Sequence, residues 1–191
     1  MSRLTAVNPD QATGKTQELF NVVKGKMGMV PNMMRVLGNS PATLSAYLDF
    51  SEGLSHSTLS GKLRELIALT VANVNGCNYC NSAHSFIARK IGLSAQAIDD
   101  ARRGVSSDAK INAALIFAKE VLSSRGAVSD IAIQDVKTAG YTEGEILDII
   151  AQVSLSIFTN YVNIAASTDI DFPKLTPITK QLLTSISNNK S

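Results

Sequence analysis

The chain lacks any run of one charge. Its 18 Lys and Arg nearly balance 16 Asp and Glu, leaving a net +2, and no basic stretch exceeds two residues. Nucleic-acid binders and proteins held on anionic membranes need clustered cations, so neither class is expected. Period-two alternation of β-branched residues is also missing, which leaves no strand pattern to compete with a helical one. The opening MSRLTAVNPDQATGK has no apolar core of the kind a secretory signal needs. A cytoplasmic location is therefore expected, where a structural disulfide would be out of place. Cysteine is scarce, with only Cys77 and Cys80, and His56 and His84 are the only histidines.

One segment invites a membrane reading. Residues 149 to 168, IIAQVSLSIFTNYVNIAAST, are free of charge. They nevertheless carry Gln152, Ser154, Ser156, Thr159, Asn160, Asn163, Ser167 and Thr168, which lipid would leave poorly satisfied. A buried helix and no membrane span is the expectation.

What is present is helical punctuation. Leu19, Phe20, Val22, Val23 and Met27 fall at mostly helical spacing within 16 to 28. Pro31 and Pro41 suit the first turns of new helices, with Ser40 as an N-cap. Ser60 caps a helix through LRELIALTVANV, which stops at Asn75-Gly76. The next runs from about Cys77 to Gly92, and Ser94 caps AQAIDDARR. Residues 108 to 124 form another, with Ala114, Leu115, Phe117, Ala118, Val121 and Leu122 on its apolar face. Ser129 caps a short helix ending at Gly140, and Thr142 with Glu145 forms a capping box that opens a long helix to about Ser167. Pro173 and Pro177 break the tail, and 178 to 186 are predicted as a last helix.

No linker or repeat divides the 191 residues. The fold class read from this pattern is all-α, a single domain of about eight helices over 1–191. The segments 66 to 74 and 146 to 166 are apolar on nearly every side, and such helices need cover all round. A homo-oligomer supplies it, with the tail of about 173–191 as an arm on a neighbouring subunit. Burial at the centre of one chain is the rival explanation.

Both cysteines lie in GCNYCNSAH, residues 76 to 84, with His84. With Cys77 near a helix N-cap, Cys80 lies about −60° and His84 about −20° from it around the axis. Thiols and imidazole then share one face. The first helical turn stabilises an anion, so a thiol there ionises more readily and attacks more readily. Glu65 lies 12 residues before Cys77, at the start of the apolar run from Leu66. The Asn75-Gly76 turn folds its helix back toward Cys80, where partial desolvation would make the carboxylate a proton acceptor.

Glu65, Cys77, Cys80 and His84, in this spacing, resemble the alkylhydroperoxidase D-like family within the carboxymuconolactone decarboxylase superfamily. The stretch RELIALTVANVNGCNYCNSAHSFIARKIGLS looks like that family's core, at about 60–93. GMVPNMMRVLGNSPATLSAYLDF and FTNYVNIAAS are similar to its peroxidase-related members. The resemblance implies an AhpD-like helical bundle that assembles as a trimer or a multiple of three. It also implies a thiol-dependent peroxidase acting without a cofactor or metal, on a hydroperoxide, with a lipoyl-type or thioredoxin-like external dithiol as reductant. Cys80 would attack the peroxide, Cys77 would resolve the sulfenic acid, and Glu65 and His84 would relay protons. The helix-terminus argument alone favours Cys77 as nucleophile instead. In the best-known members another histidine precedes the second cysteine, where this chain has Tyr79.

Other readings use the same residues. Cys77, Cys80, His84 and Glu65 could ligate a zinc ion. A non-redox decarboxylase of the same superfamily and an oligomeric binding protein with packed cysteines are the others. His56 reads as a solvated residue or a helix C-terminal partner. Met27, Met29, Met33 and Met34 read as core, interface or an apolar path to the thiols. Asn160, Tyr161 and Asn163 need partners within an apolar helix, either on other helices or in a pocket.

Overall fold

The computed structural model describes residues 2–175. The helix predicted at 178 to 186 and most of the tail read as an arm lie outside the described residues. Within them the chain forms nine α-helices and a short 3-10 turn at Pro9–Gln11, with no strand. The helices are α1 Gly14–Met27, α2 Asn32–Leu37, α3 Pro41–Ser55, α4 Gly61–Val74, α5 Asn78–Lys90, α6 Ala95–Arg103, α7 Ala109–Ser123, α8 Asp130–Thr138 and α9 Glu143–Ala166.

Their starts follow the expected chemistry. Ser40, Ser60, Ser94 and Ser129 each accept the backbone N–H three residues on, satisfying a donor that has no partner inside its helix. At α9 the capping box is complete: Thr142 Oγ1 accepts Glu145 N–H at 3.2 Å, and Glu145 Oε2 accepts Thr142 N–H at 2.8 Å. A Thr142→Ala variant is expected to lose about 1 kcal/mol of stability in urea unfolding, with no change in the helical content of the folded state.

Burial then arranges the helices. α4 occupies the centre and packs against α5, α6, α7 and α9. Every residue from Leu66 to Ala72 is buried, so the all-round apolar helix receives its cover from its own chain. The rival to the oligomer reading accounts for α4. Each large side chain such as Ile67 or Leu69 contributes about 1.5–3 kcal/mol by leaving water. By length and composition α9 could cross a membrane, but half of its most apolar window is buried inside the molecule. Its outer side exposes Leu147, Tyr161 and Ile164.

Two cores result. The larger joins α4 to α6, α7, α8 and α9 through Leu69, Ile98, Leu115, Val136 and Ile149. The smaller is built by α1, α2 and α3 closing over the start of α5, and joins Phe20, Val23, Met33, Met34 and Leu44 to Cys77, Tyr79 and Cys80. The cysteines thus belong to a packed core.

Candidate active site

α4 ends at Val74 with Asn75 as its C-cap, and Gly76 turns the chain with φ +70°, a left-handed conformation that a side chain would strain. Cys77 follows as the N-cap of α5, its Sγ accepting Cys80 N–H at 3.2 Å. The two cysteines are joined as a disulfide, with Cα atoms 5.3 Å apart. Both are buried, but they are not equivalent. A cavity of about 320 Å³ opens beside them, and Cys80 lines it while Cys77 does not.

The tight turn brings α4 and α5 side by side, and Glu65 meets His84 across them. His84 Nδ1 and Glu65 Oε2 are 2.8 Å apart, and both side chains line the same cavity as Cys80. The hydrogen bond His84 makes is to the carboxylate. Burial, the strongest single influence on its imidazole, favours the neutral ring. The charge of Glu65 and its hydrogen bond together outweigh that, holding the pKa above its ordinary 6.5.

This has a pH consequence. Protonated His84 gains Glu65 only in the folded chain. Its stabilisation is fully present below the unfolded value of about 6.5 and is lost as pH rises through the higher folded value. An NMR titration of the His84 ring should give a midpoint above 6.5 in the wild type. In Glu65→Gln, where burial acts unopposed, the midpoint should fall below 6.5.

The remaining walls come from distant parts of the chain. α1, α2 and α3 contribute Val23, Met27, Met33, Met34, Tyr47 and Leu48, while α9 contributes Gln152, Leu155, Ser156, Thr159 and Asn163. Tyr47 stacks on Phe158 with ring centroids 6.2 Å apart. Burial and then the Glu65 charge push its phenol up to about 12, against a hydrogen bond from Ser51. Asn163 Nδ2 donates to Cys80 Sγ at 3.4 Å.

Comparison with known proteins agrees with this geometry. Residues 41–124 match the carboxymuconolactone decarboxylase family. An uncharacterized peroxidase-related protein from Silicibacter sp. TM1040 is 25% identical, with TM-score 0.79 over 88% of this chain and 91% of that one. The matched segment is similar to the carboxymuconolactone decarboxylase family, and the chain as a whole shares the fold of AhpD-like, peroxidase-related structures. A peroxidase-related protein from Ralstonia eutropha JMP134, described as an alkylhydroperoxidase AhpD core, is 21% identical with TM-score 0.81 over 89% and 92% of the two chains. The debrominase Bmp8, solved as a cysteine-to-alanine variant with 2,3,4-tribromopyrrole, is 20% identical with TM-score 0.76 over 90% and 92%. No curated protein matches the sequence.

In this chain of AhpD-like fold Tyr79, at the position where the best-known members of the resembled family have a histidine, is a tie between elements. Its phenol oxygen accepts Met33 N–H at 3.1 Å, and its ring meets Phe172 edge-on at 5.7 Å. Burial, then the nearby Asp171 carboxylate, hold the phenol protonated far above the usual range although the Met33 N–H works the other way. It keeps its proton at neutral pH and so is no proton acceptor there.

The other singled-out residues divide. His56 ends α3 with a side chain 75% exposed, 3.3 Å from Glu52. Met33 and Met34 are buried and line the cavity with the half-exposed Met27, whereas Met29 does not. Asn160 Oδ1 accepts from Asn75 Nδ2 at 3.0 Å, an inter-helix bond, while Tyr161 faces outward. No group of three His, Cys, Asp or Glu is arranged for a metal among the described residues. Tyr47 and most of the α9 wall escaped the sequence reading of this site, Asn163 being the α9 lining residue already weighed for a pocket. The polar residues in the apolar α9 were the one signal that pointed there.

Proposed function

We propose that the chain is a thiol-dependent peroxidase that reduces hydroperoxides by cycling Cys77 and Cys80 between dithiol and disulfide. The observation carrying this reading is the asymmetry of the sulfurs: Cys80 lines the cavity with Glu65 and His84, and Cys77 is buried behind it. Access supports Cys80 as the nucleophile, against the helix-terminus preference for Cys77. The Glu65–His84 pair takes the Cys80 proton. The thiolate attacks the distal peroxide oxygen, the O–O bond breaks, and the leaving alkoxide collects a proton from the pair. Cys80 is now a sulfenic acid, which condenses with the Cys77 thiol to a disulfide and releases water. An external dithiol restores both thiols through a mixed disulfide, becoming oxidised itself. A lipoyl-type or thioredoxin-like donor of the cytoplasm suits that step. The exposed apolar side of α9, with Leu147, Tyr161 and Ile164, suits contact between copies of the chain.

A second reading has its own support. About 320 Å³ is far more than hydrogen peroxide needs, and the lining includes Met33, Met34, Leu48, Leu155 and Phe172. Bmp8, of like fold, binds a tribromopyrrole. The same two-electron dithiol could replace an aryl bromine by hydrogen, releasing bromide and a proton and leaving the disulfide. The two readings separate in one assay with dihydrolipoamide as donor. Consumption of cumene hydroperoxide without bromide release from 2,3,4-tribromopyrrole supports the first. The reverse supports the second, and neither activity sinks both.

A further inference from the structure

We propose that Asn163 is a catalytic residue of this site, its side-chain N–H donating to Cys80 Sγ and holding that sulfur as a thiolate ready to attack. The inference rests on the redox reading of Cys80 and adds a group that the expected Glu, Cys, Cys and His set does not contain.

The polar residues that α9 turns to the cavity are Gln152, Ser156, Thr159 and Asn163, at positions i, i+4, i+7 and i+11 of one face. Three of them spend their hydrogen bonds locally. Ser156 Oγ donates to the Gln152 carbonyl at 2.8 Å, Thr159 Oγ1 to the Ser156 carbonyl at 3.0 Å, and Gln152 Nε2 to Ser156 Oγ at 3.4 Å. Asn163 instead reaches across to α5, to a sulfur 83 residues earlier in the chain.

That placement is costly to the fold. Asn163 is 3% exposed, and its Oδ1 is buried without a hydrogen-bond partner among the described residues. A donor bond to neutral disulfide sulfur is weak and does not offset an orphaned carbonyl oxygen. The balance changes when Cys80 is reduced and ionised. The bond becomes charge-assisted, and such bonds are about twice as strong as neutral ones. An amide can present either end to the sulfur, and a thiolate selects the N–H end.

The backbone does not supply the same service. The Cys80 amide, first in line to meet a sulfur at this helix start, is taken by Cys77 Sγ. The charged and titratable groups on the cavity are Lys26 from α1, Tyr47 and Glu52 from α3, Arg64 and Glu65 from α4, and Tyr79 and His84 from α5; α9 brings none. Asn163 is therefore a pH-independent donor, which neither His84 nor Glu65 can be.

The test uses the reduced full-length chain with Cys77→Ser, so that Cys80 is the only thiol. Its pKa is read from ultraviolet thiolate absorbance and from the pH dependence of iodoacetamide alkylation, in this parent and with Asn163→Leu or Asn163→Asp added. Losing the donor should raise the Cys80 pKa by about one unit, reducing thiolate roughly tenfold below it. Asn163→Asp, which sets an anion beside the sulfur, should raise it further. The Leu variant should melt no lower than the parent, because it removes a buried unpartnered oxygen. An unchanged Cys80 pKa in both variants overturns the proposal, as does a lowered melting point with an unchanged pKa, which marks a structural residue. If Asn163→Leu does not fold, the Asp variant decides alone. If Cys80 in the parent resists alkylation at every pH, the redox reading itself fails and takes this proposal with it. A normal parent with unmoved variants rejects Asn163 alone.

Discussion

A Cys80→Ser variant is expected to lose hydroperoxide consumption by about 10³-fold or more with dihydrolipoamide as donor, because the residue that attacks has no substitute in the cavity. Cys77 is not expected to take over, because it is absent from the cavity lining. The companion Cys77→Ser variant should behave differently. It keeps the attacking sulfur but, with no external dithiol present, has nothing to resolve the sulfenic acid, so it should consume one equivalent of peroxide and stop. Mass spectrometry should then find one added oxygen on Cys80. Multiple turnover in Cys80→Ser, or oxygen on Cys77 there, would reverse the two roles.

The second large effect belongs to Glu65. A positioned acid–base group is worth about 10²–10⁴ in rate, and Glu65→Gln removes its charge while keeping its size. The loss in turnover should lie in that range. The form of the pH profile identifies the cause. In the wild type His84 holds its proton to a higher pH because Glu65 sits 2.8 Å away. Without the carboxylate, burial drives that proton off earlier, so any activity needing the imidazolium should move to lower pH. A variant as fast as wild type at every pH would remove Glu65 from the relay.

Much of the architecture was legible because helix starts are chemical signals. Ser40, Ser60, Ser94, Ser129 and the Thr142–Glu145 box each mark a boundary that the structure keeps. The pairing of Glu65 with His84 was legible for a related reason. A single tight turn at Asn75-Gly76 links their helices, so local geometry places one near the other. The cavity walls obeyed no local rule. Tyr47 and Phe172 line the cavity through the packing of α3 and of the segment after α9, and nothing in their immediate neighbours foretells it, whereas Asn163 stood out as a polar residue in an apolar helix. The burial of 66 to 72 needs no neighbouring subunit for a physical reason: in a bundle of this size one helix is surrounded by the rest.

The matched family segment, 41–124, contains all four residues of the expected chemistry, Glu65, Cys77, Cys80 and His84. It does not contain Val23, Met27, Met33 or Met34 on one side of the cavity, nor Gln152, Leu155, Thr159, Asn163 or Phe172 on the other. Tyr47, Leu48, Tyr79 and Ala83 of the matched segment supply more of the wall, so the cavity is closed jointly by that segment and by the flanks on either side of it.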